Sequence, residues 1–372
     1  MIYRLFCLLL SAVLLNGCAQ HKSAPPVATT PPAEPIPSQP ILHKSFERET
    51  LFDLMLGEFA SKQGRMDILL EEYAKQARHT QDPAVIERAL QVALYLKKPQ
   101  LGTEMAQLWL KADPNSQQAL NYAFLYLAQL AIAAHDAEAA LAQYQKVSLG
   151  PFFGLAQIQI AQILADQNQL EQARAGLAQA RKQDPEDAVD FIITEAALLV
   201  KVENYAAAEV VFKQALKEYP DNPELLYSHS VLAGQQKNWP AAERDLRRII
   251  KMHPNSSVAL NALGYTLADQ NRNLKEAYEL IQQAYRLEPN DPSIMDSMGW
   301  IEYRLGHYAE AQTLLEKAYK LFPDHEVAAH LGEVLWMQGK KEQAEKLWRE
   351  ALKKTPDSDV LRDTMKRFHV EP

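Results

Sequence analysis

Residues 323–356 read PDHEVAAHLGEVLWMQGKKEQAEKLWREALKKTP, and their pattern decides the fold. Apolar and small residues fall at Ala328, Leu331, Gly332 and Leu335, then at Ala344, Trp348 and Ala351. Steps of three and four place each set on one face of an α-helix. The small residues at Gly332, Ala344 and Ala351 let the two helices approach closely. Pro356 closes the unit as Pro323 opens it. Working outward, proline recurs at Pro185, Pro220, Pro254, Pro289, Pro323 and Pro356, a spacing of 33 to 35 residues.

A period of about 34 residues with two helices per period is that of the tetratricopeptide repeat. The preceding units agree in residue type. One carries Met295, Met298-Gly299, Ala311, Leu315 and Ala318. The one before carries Leu260, Leu263-Gly264, Leu267, Ala277, Ile281 and Ala284, with one residue inserted near Asn273. Earlier units are looser: Ala208, Phe212 and Ala215, and before them Ala173, Leu177 and Ala180. Asp82-Pro83, Asn222-Pro223 and Asp291-Pro292 each pair a capping side chain with a proline at the first helical position, where no amide donor is missed. Leu56-Gly57 through Tyr73, Ile86 to Trp109 and Leu120 to Tyr144 read as further helix pairs. The expected fold is all-α, a right-handed superhelical solenoid of about nine helix pairs between Phe46 and Asp357. A capping helix over Val360 to Phe368 would hide the last apolar face. Residues 46–150 are the degenerate N-terminal repeats, 151–357 the regular ones, and 358–372 the capping helix and tail.

Composition fits this reading. Only 13 of 372 residues are Gly, and 47% are hydrophobic. The net charge of -8 argues against direct nucleic-acid binding, which needs a basic face to displace phosphate counterions. Seven of 21 prolines lie between Pro25 and Pro40. The two cysteines are Cys7 and Cys18, so nothing downstream forms a disulfide or a thiol site. Arg4 followed by the apolar run Leu5 to Leu15 is a signal-peptide pattern over residues 1–17. Leu15-Asn16-Gly17-Cys18 resembles a bacterial lipobox, which implies cleavage before Cys18 and lipidation of its sulfur. Ala19 and Gln20 behind it resemble outer-membrane sorting. Residues 18–45 are then a Pro-rich, disordered tether, extended in the polyproline II manner.

No phosphate-binding Gly-rich loop, Gly-x-Ser-x-Gly elbow or calcium loop is present, so neither an enzyme nor a cofactor is expected. His325 and His330 are five residues apart, about 140° around a helix, and do not present one metal site. Ser256, inside a glycosylation-like triplet, reads as a helix cap. What remains is recognition. The first helices of the C-terminal pairs carry Asn261, Tyr265 and Asp269, then Asp296, Trp300, Tyr303 and Arg304, then Glu333, Trp336 and Met337 between their packing positions. These are the candidate concave, partner-binding residues, since aromatic and Arg side chains are frequent interface anchors. Packing between neighbouring repeats is the alternative for Trp300 and Trp336. Asn261 and Arg304 do not reproduce the clamp by which some repeats hold a C-terminal carboxylate.

Three segments are more specific than a generic repeat: Leu263 to Asp269, Asp296 to Trp300, and Glu326 to Trp336. Over roughly residues 220–368 the chain resembles the proteobacterial tetratricopeptide lipoproteins of the LbcA type, named as lipoprotein binding partners of a carboxyl-terminal processing protease. Residues 46–150 match that family only as helix pairs. The resemblance implies a non-enzymatic adaptor, lipid-anchored in the outer membrane and facing the periplasm. It also implies protein partners: a serine processing protease and the peptidoglycan hydrolases presented to it. The alternative is a structural component of an envelope machine, in barrel assembly or a pilus.

Overall fold

A computed structural model describes residues 46–133, 135–150 and 152–371. The signal peptide, Cys18 and the tether lie outside the described residues. Among those residues the chain forms nineteen α-helices and no strand. By chain order they make nine successive pairs and one last helix, the all-α tetratricopeptide-repeat class that the periodicity predicts.

The helices divide into two compact units, 46–198 and 199–371. The first holds α1 (Arg48–Lys62), α2 (Met66–Thr80), α3 (Pro83–Tyr95), α4 (Pro99–Ala112), α5 (Gln117–Ala133), α6 (Ala137–Tyr144), α7 (Phe153–Asp166) and α8 (Leu170–Gln183). Helix α9 (Ala188–Lys201) lies in it up to Leu198, and its last turn belongs to the second unit. Its core runs through Leu69, Ile86, Leu90 and Met105, all fully buried, and through Leu177 and Phe191.

The second unit holds α10 (Tyr205–Glu218), α11 (Pro223–Gln235), α12 (Trp239–Met252), α13 (Ser257–Asp269) and α14 (Leu274–Leu287). After them come α15 (Pro292–Arg304), α16 (Tyr308–Leu321), α17 (His325–Met337), α18 (Lys341–Lys354) and α19 (Asp359–Arg367). Leu263, Ile281 and Ile301 form one part of its core. Leu315, Ala344, Trp348 and Leu361 form another. Full burial of such a side chain is worth about 1.5–3 kcal/mol, so the i, i+3, i+4 stripe read from the sequence is also the main source of cohesion.

The caps act as their residue types dictate. Asn222 Oδ1 accepts from Leu225 N at 2.8 Å, and Asp291 Oδ1 from Ser293 N at 2.8 Å and Ile294 N at 3.0 Å. Asp82 Oδ1 accepts from Ala84 N at 3.0 Å, and Ser256 caps α13 through Ala259 N. Each satisfies a helix-terminal amide that has no carbonyl four residues before it.

One regularity has little residue signature. The turn inside each pair contains one residue with positive φ: Gly64, Lys97, His135, Asn168, Glu203, Lys237, Asn271, Gly306 and Gly339. Only three of these nine are glycine, although the left-handed region is costly for other residues. The residue inserted before α14 is absorbed there by a second left-handed residue, Asn273 at φ 46°.

Candidate protein-binding face

The candidate residues occupy repeated places on α13, α15 and α17. Asn261 and Asp296 lie three residues before the helix glycine of their repeat. Tyr265, Trp300 and Glu333 lie one after it, and Asp269, Arg304 and Met337 five after it. The glycines mark close approach. A Cβ on Gly264 would stand 2.5 Å from Ile281 Cγ1 and 3.0 Å from the Ala277 carbonyl oxygen. A Cβ on Gly299 would stand 2.6 Å from Leu315 Cγ.

At the centre is a buried polar and aromatic stack. Asp296 is wholly buried, and both its carboxylate oxygens lie 3.0 Å from His330 Nδ1 on the next first helix. The other ring nitrogen, Nε2, faces the Tyr265 hydroxyl at 3.5 Å. The Trp300 ring stacks on His330 with centroids 4.1 Å apart, and Tyr303 stacks on Trp300 at 5.0 Å. The Arg304 guanidinium carbon lies 4.9 Å from the Trp300 ring centroid. Arg304 also donates to the Ala268 carbonyl at 3.1 Å and to the Asp269 carbonyl. It thereby satisfies the carbonyl end of α13, where a cation is favoured by the helix dipole.

Burial alone would lower the His330 pKa. The charge of Asp296, the hydrogen bond that His330 donates to it, and the charges of Glu333 and Glu326 outweigh burial and raise the value. The Tyr303 hydroxyl donates to Glu333 Oε2 at 3.3 Å. Burial, reinforced by the Glu333 charge, pushes that phenol up to about 12. Glu333 also pairs with Arg367 of α19.

The structure thus joins Tyr265, Asp296, Trp300, Tyr303, Arg304 and Glu333 through shared partners. Asn261, Asp296, Trp300 and Glu333 are buried, Tyr265, Tyr303 and Arg304 are half-buried, and Asp269 and Met337 are exposed. Trp336, also half-buried, stands apart from the stack. It lies against Trp348 at 5.9 Å and Phe368 at 5.5 Å, with Lys341 Nζ 4.9 Å from its ring centroid. His325 bonds Ser358 at 2.9 Å, so the two histidines of α17 serve different partners.

A second buried histidine went unread in the sequence. His229 of α11 places Nδ1 2.5 Å from Asp245 and Nε2 3.0 Å from Glu209, on α12 and α10. Burial opposes its charge, but the Asp245 hydrogen bond and the two carboxylate charges raise its pKa. The available signal was a lone histidine on a packed helix face, which looks the same with or without acids around it. No cluster of three or more metal-ligating side chains occurs among the described residues.

The tetratricopeptide-repeat family model matches residues 193–243, 227–292 and 297–359. These segments are tetratricopeptide repeats. A TPR repeat-containing protein of Pseudomonas aeruginosa is 41% identical over 207 residues, covering 56% of this chain and 35% of its own length. Human tetratricopeptide repeat protein 7A is 37% identical over 111 residues, covering 30% of this chain and 13% of its own length. The chain therefore spans about a third or less of the curated relatives it matches. Among solved structures, a tetratricopeptide repeat protein from Parabacteroides merdae superposes with a TM-score of 0.52 at 17% identity. That match covers 66% of this chain and 98% of the other, and it carries the fold alone.

Proposed function

We propose that the chain is a non-enzymatic adaptor that holds partner proteins on its repeats. The finer reading is a lipoprotein anchored through Cys18 in the outer membrane and facing the periplasm, where it presents cell-wall hydrolases to a serine processing protease. The observation that carries the adaptor reading is the stack across α13, α15 and α17. Its buried Asp296–His330–Trp300 centre fixes the helices, while Tyr265, Asp269 and Met337 remain wholly or partly at the surface. A preorganised face binds with less ordering cost than a mobile one. The lipobox-like Leu15 to Cys18 supports the anchor, and the resemblance over residues 220–368 supports the partners. Two partners held on one chain raise each other's effective concentration without any new contact between them. Among the described residues no helix is long and apolar enough to cross a membrane, so on this reading attachment rests on the lipid.

Affinity purification of the full chain from detergent-solubilised membranes tests the partners. Recovery of a processing protease together with a cell-wall hydrolase is expected. Recovery of barrel-assembly or pilus components instead would favour an envelope-assembly role, and recovery of none of these would sink the adaptor reading. Replacing Cys18 with Ser should move the protein to the soluble fraction with its helical circular dichroism unchanged. Retention in carbonate-washed membranes would refute the lipid anchor.

A further inference from the structure

The second unit contains a cleft of about 50 Å³ between α11, α13 and the start of α15. Its polar lining includes Tyr227, Asn261, Tyr265, Glu288, Asp291 and Ser297, with no Lys, Arg or His among the lining residues. Glu288 accepts a hydrogen bond from Ser257. Asp291 spends one carboxylate oxygen on the cap of α15, and its other oxygen, Oδ2, is buried without a hydrogen-bond partner. Asn261 Oδ1 is likewise buried and unpartnered. The two residues are only 2% and 8% exposed.

Buried polar atoms are nearly always hydrogen-bonded, because an unmade bond costs about 1–3 kcal/mol. Here both orphans are acceptors on residues that line one cleft, whose two carboxylates are Glu288 and Asp291 itself, so the missing group must donate, and positive charge suits it. A guanidinium is a wide planar fork of five donors. An ammonium is compact, with three donors on a slim apolar stem. The small volume favours the ammonium, and Val258, Ala262 and Ile294 in the same lining suit the stem.

We propose that this cleft is a binding pocket for a primary ammonium group, the side chain of a lysine on a bound partner protein. The proposal rests on the adaptor reading only for the source of that lysine. Asp291 Oδ2 and Asn261 Oδ1 accept hydrogen bonds from the ammonium, Glu288 adds charge, and the stem lies along Ile294 and Val258.

The test uses the full chain labelled with carbon-13 in its Val, Ala and Ile methyl groups. Nα-acetyl-lysine methylamide is titrated in, followed by the norleucine and glutamine compounds of the same design. The lysine compound should shift the methyl signals of Val258, Ala262 and Ile294, and neither of the others should do so. Asp291→Asn keeps the helix cap, since Asn caps about as well as Asp, and should raise the lysine compound's dissociation constant at least tenfold. Equal shifts from the norleucine or glutamine compound would overturn the proposal, as would an unchanged constant in the variant. No shift from the lysine compound would overturn it as well. This readout needs no partner protein. Lysine-compound binding with no partner recovered from membranes would therefore defeat the adaptor reading and leave the pocket standing.

Discussion

At the scale of single residues, buried charge is the most informative feature. His330 and His229 each face carboxylates across helix boundaries, and each has its pKa raised despite burial. A histidine whose folded value lies above the unfolded one, near 6.5, contributes stability that is fully present below that value. The contribution is lost as pH rises through the raised folded value. The melting temperature should therefore be higher at about pH 6 than at about pH 9. In His330→Gln, which keeps the ring's bulk only in part, that difference should shrink while the variant melts lower at both pH values. Circular-dichroism melts at both pH values check this, and an identical pH dependence in variant and wild type would remove the charge pairing. The pairing was not legible in advance: Asp296 and His330 are 34 residues apart, and no local pattern links them.

At the scale of elements, the distance between helices is set by where a side chain is missing. Gly264 on α13 and Gly176 on α8 both sit within helices. A methyl group at Gly264 would meet Ile281 and the Ala277 carbonyl, whereas one at Gly176 meets nothing within 4 Å. Gly264→Ala should therefore destabilise by about 1–3 kcal/mol through overpacking. Gly176→Ala should stabilise by about 0.5–1 kcal/mol, because alanine loses less conformational freedom on entering a helix. Urea denaturation of the two variants measures both. The same sign for both would mean that helix propensity, and not helix–helix contact, governs these positions. The repeat pattern marked Gly264 as a packing position beside Leu263. Nothing local marked Gly176 as open to solvent.

At the scale of the whole molecule, each repeat depends on its neighbour, and an end needs a closing element. Helix α19 supplies one: Leu361 and Met365 are fully buried, and Phe368 lies 5.5 Å from both Trp336 and Trp348. Ending the chain after Asp357 should uncover those rings and leave buried Glu333 without Arg367. Tryptophan emission should shift to the red. Amide hydrogen exchange should quicken in α15 to α18 and stay unchanged over residues 48–112, whose helices pair with helices one or two places away, as in Arg78–Glu104 and Arg88–Glu58. Equal quickening over 48–112 would contradict neighbour-only coupling. At the start of the described residues, α1 leaves Phe52, Met55 and Phe59 more than half exposed.

The order of helices, their caps and the buried stripe follow from residue type at steps of three, four and about 34. These are local rules, and the chain obeys them wherever its spacing is regular. Capping by Asn222, Asp291 and Ser256 was legible for the same reason: a short acceptor side chain reaches amides two or three residues on. The tertiary structure alone decided the rest. It selected which candidate residues are buried: Trp300 and Tyr265 occupy the same place in their repeats, yet Trp300 is buried against His330 and Tyr265 is half-buried. It also determined the left-handed turns at residues such as Lys97 and Glu203, where helix packing overrides a backbone preference that favours glycine. Finally, it brought Asn261 and Asp291, thirty positions apart in the chain, to one cleft, where hydrogen-bond satisfaction depends on every neighbour in space.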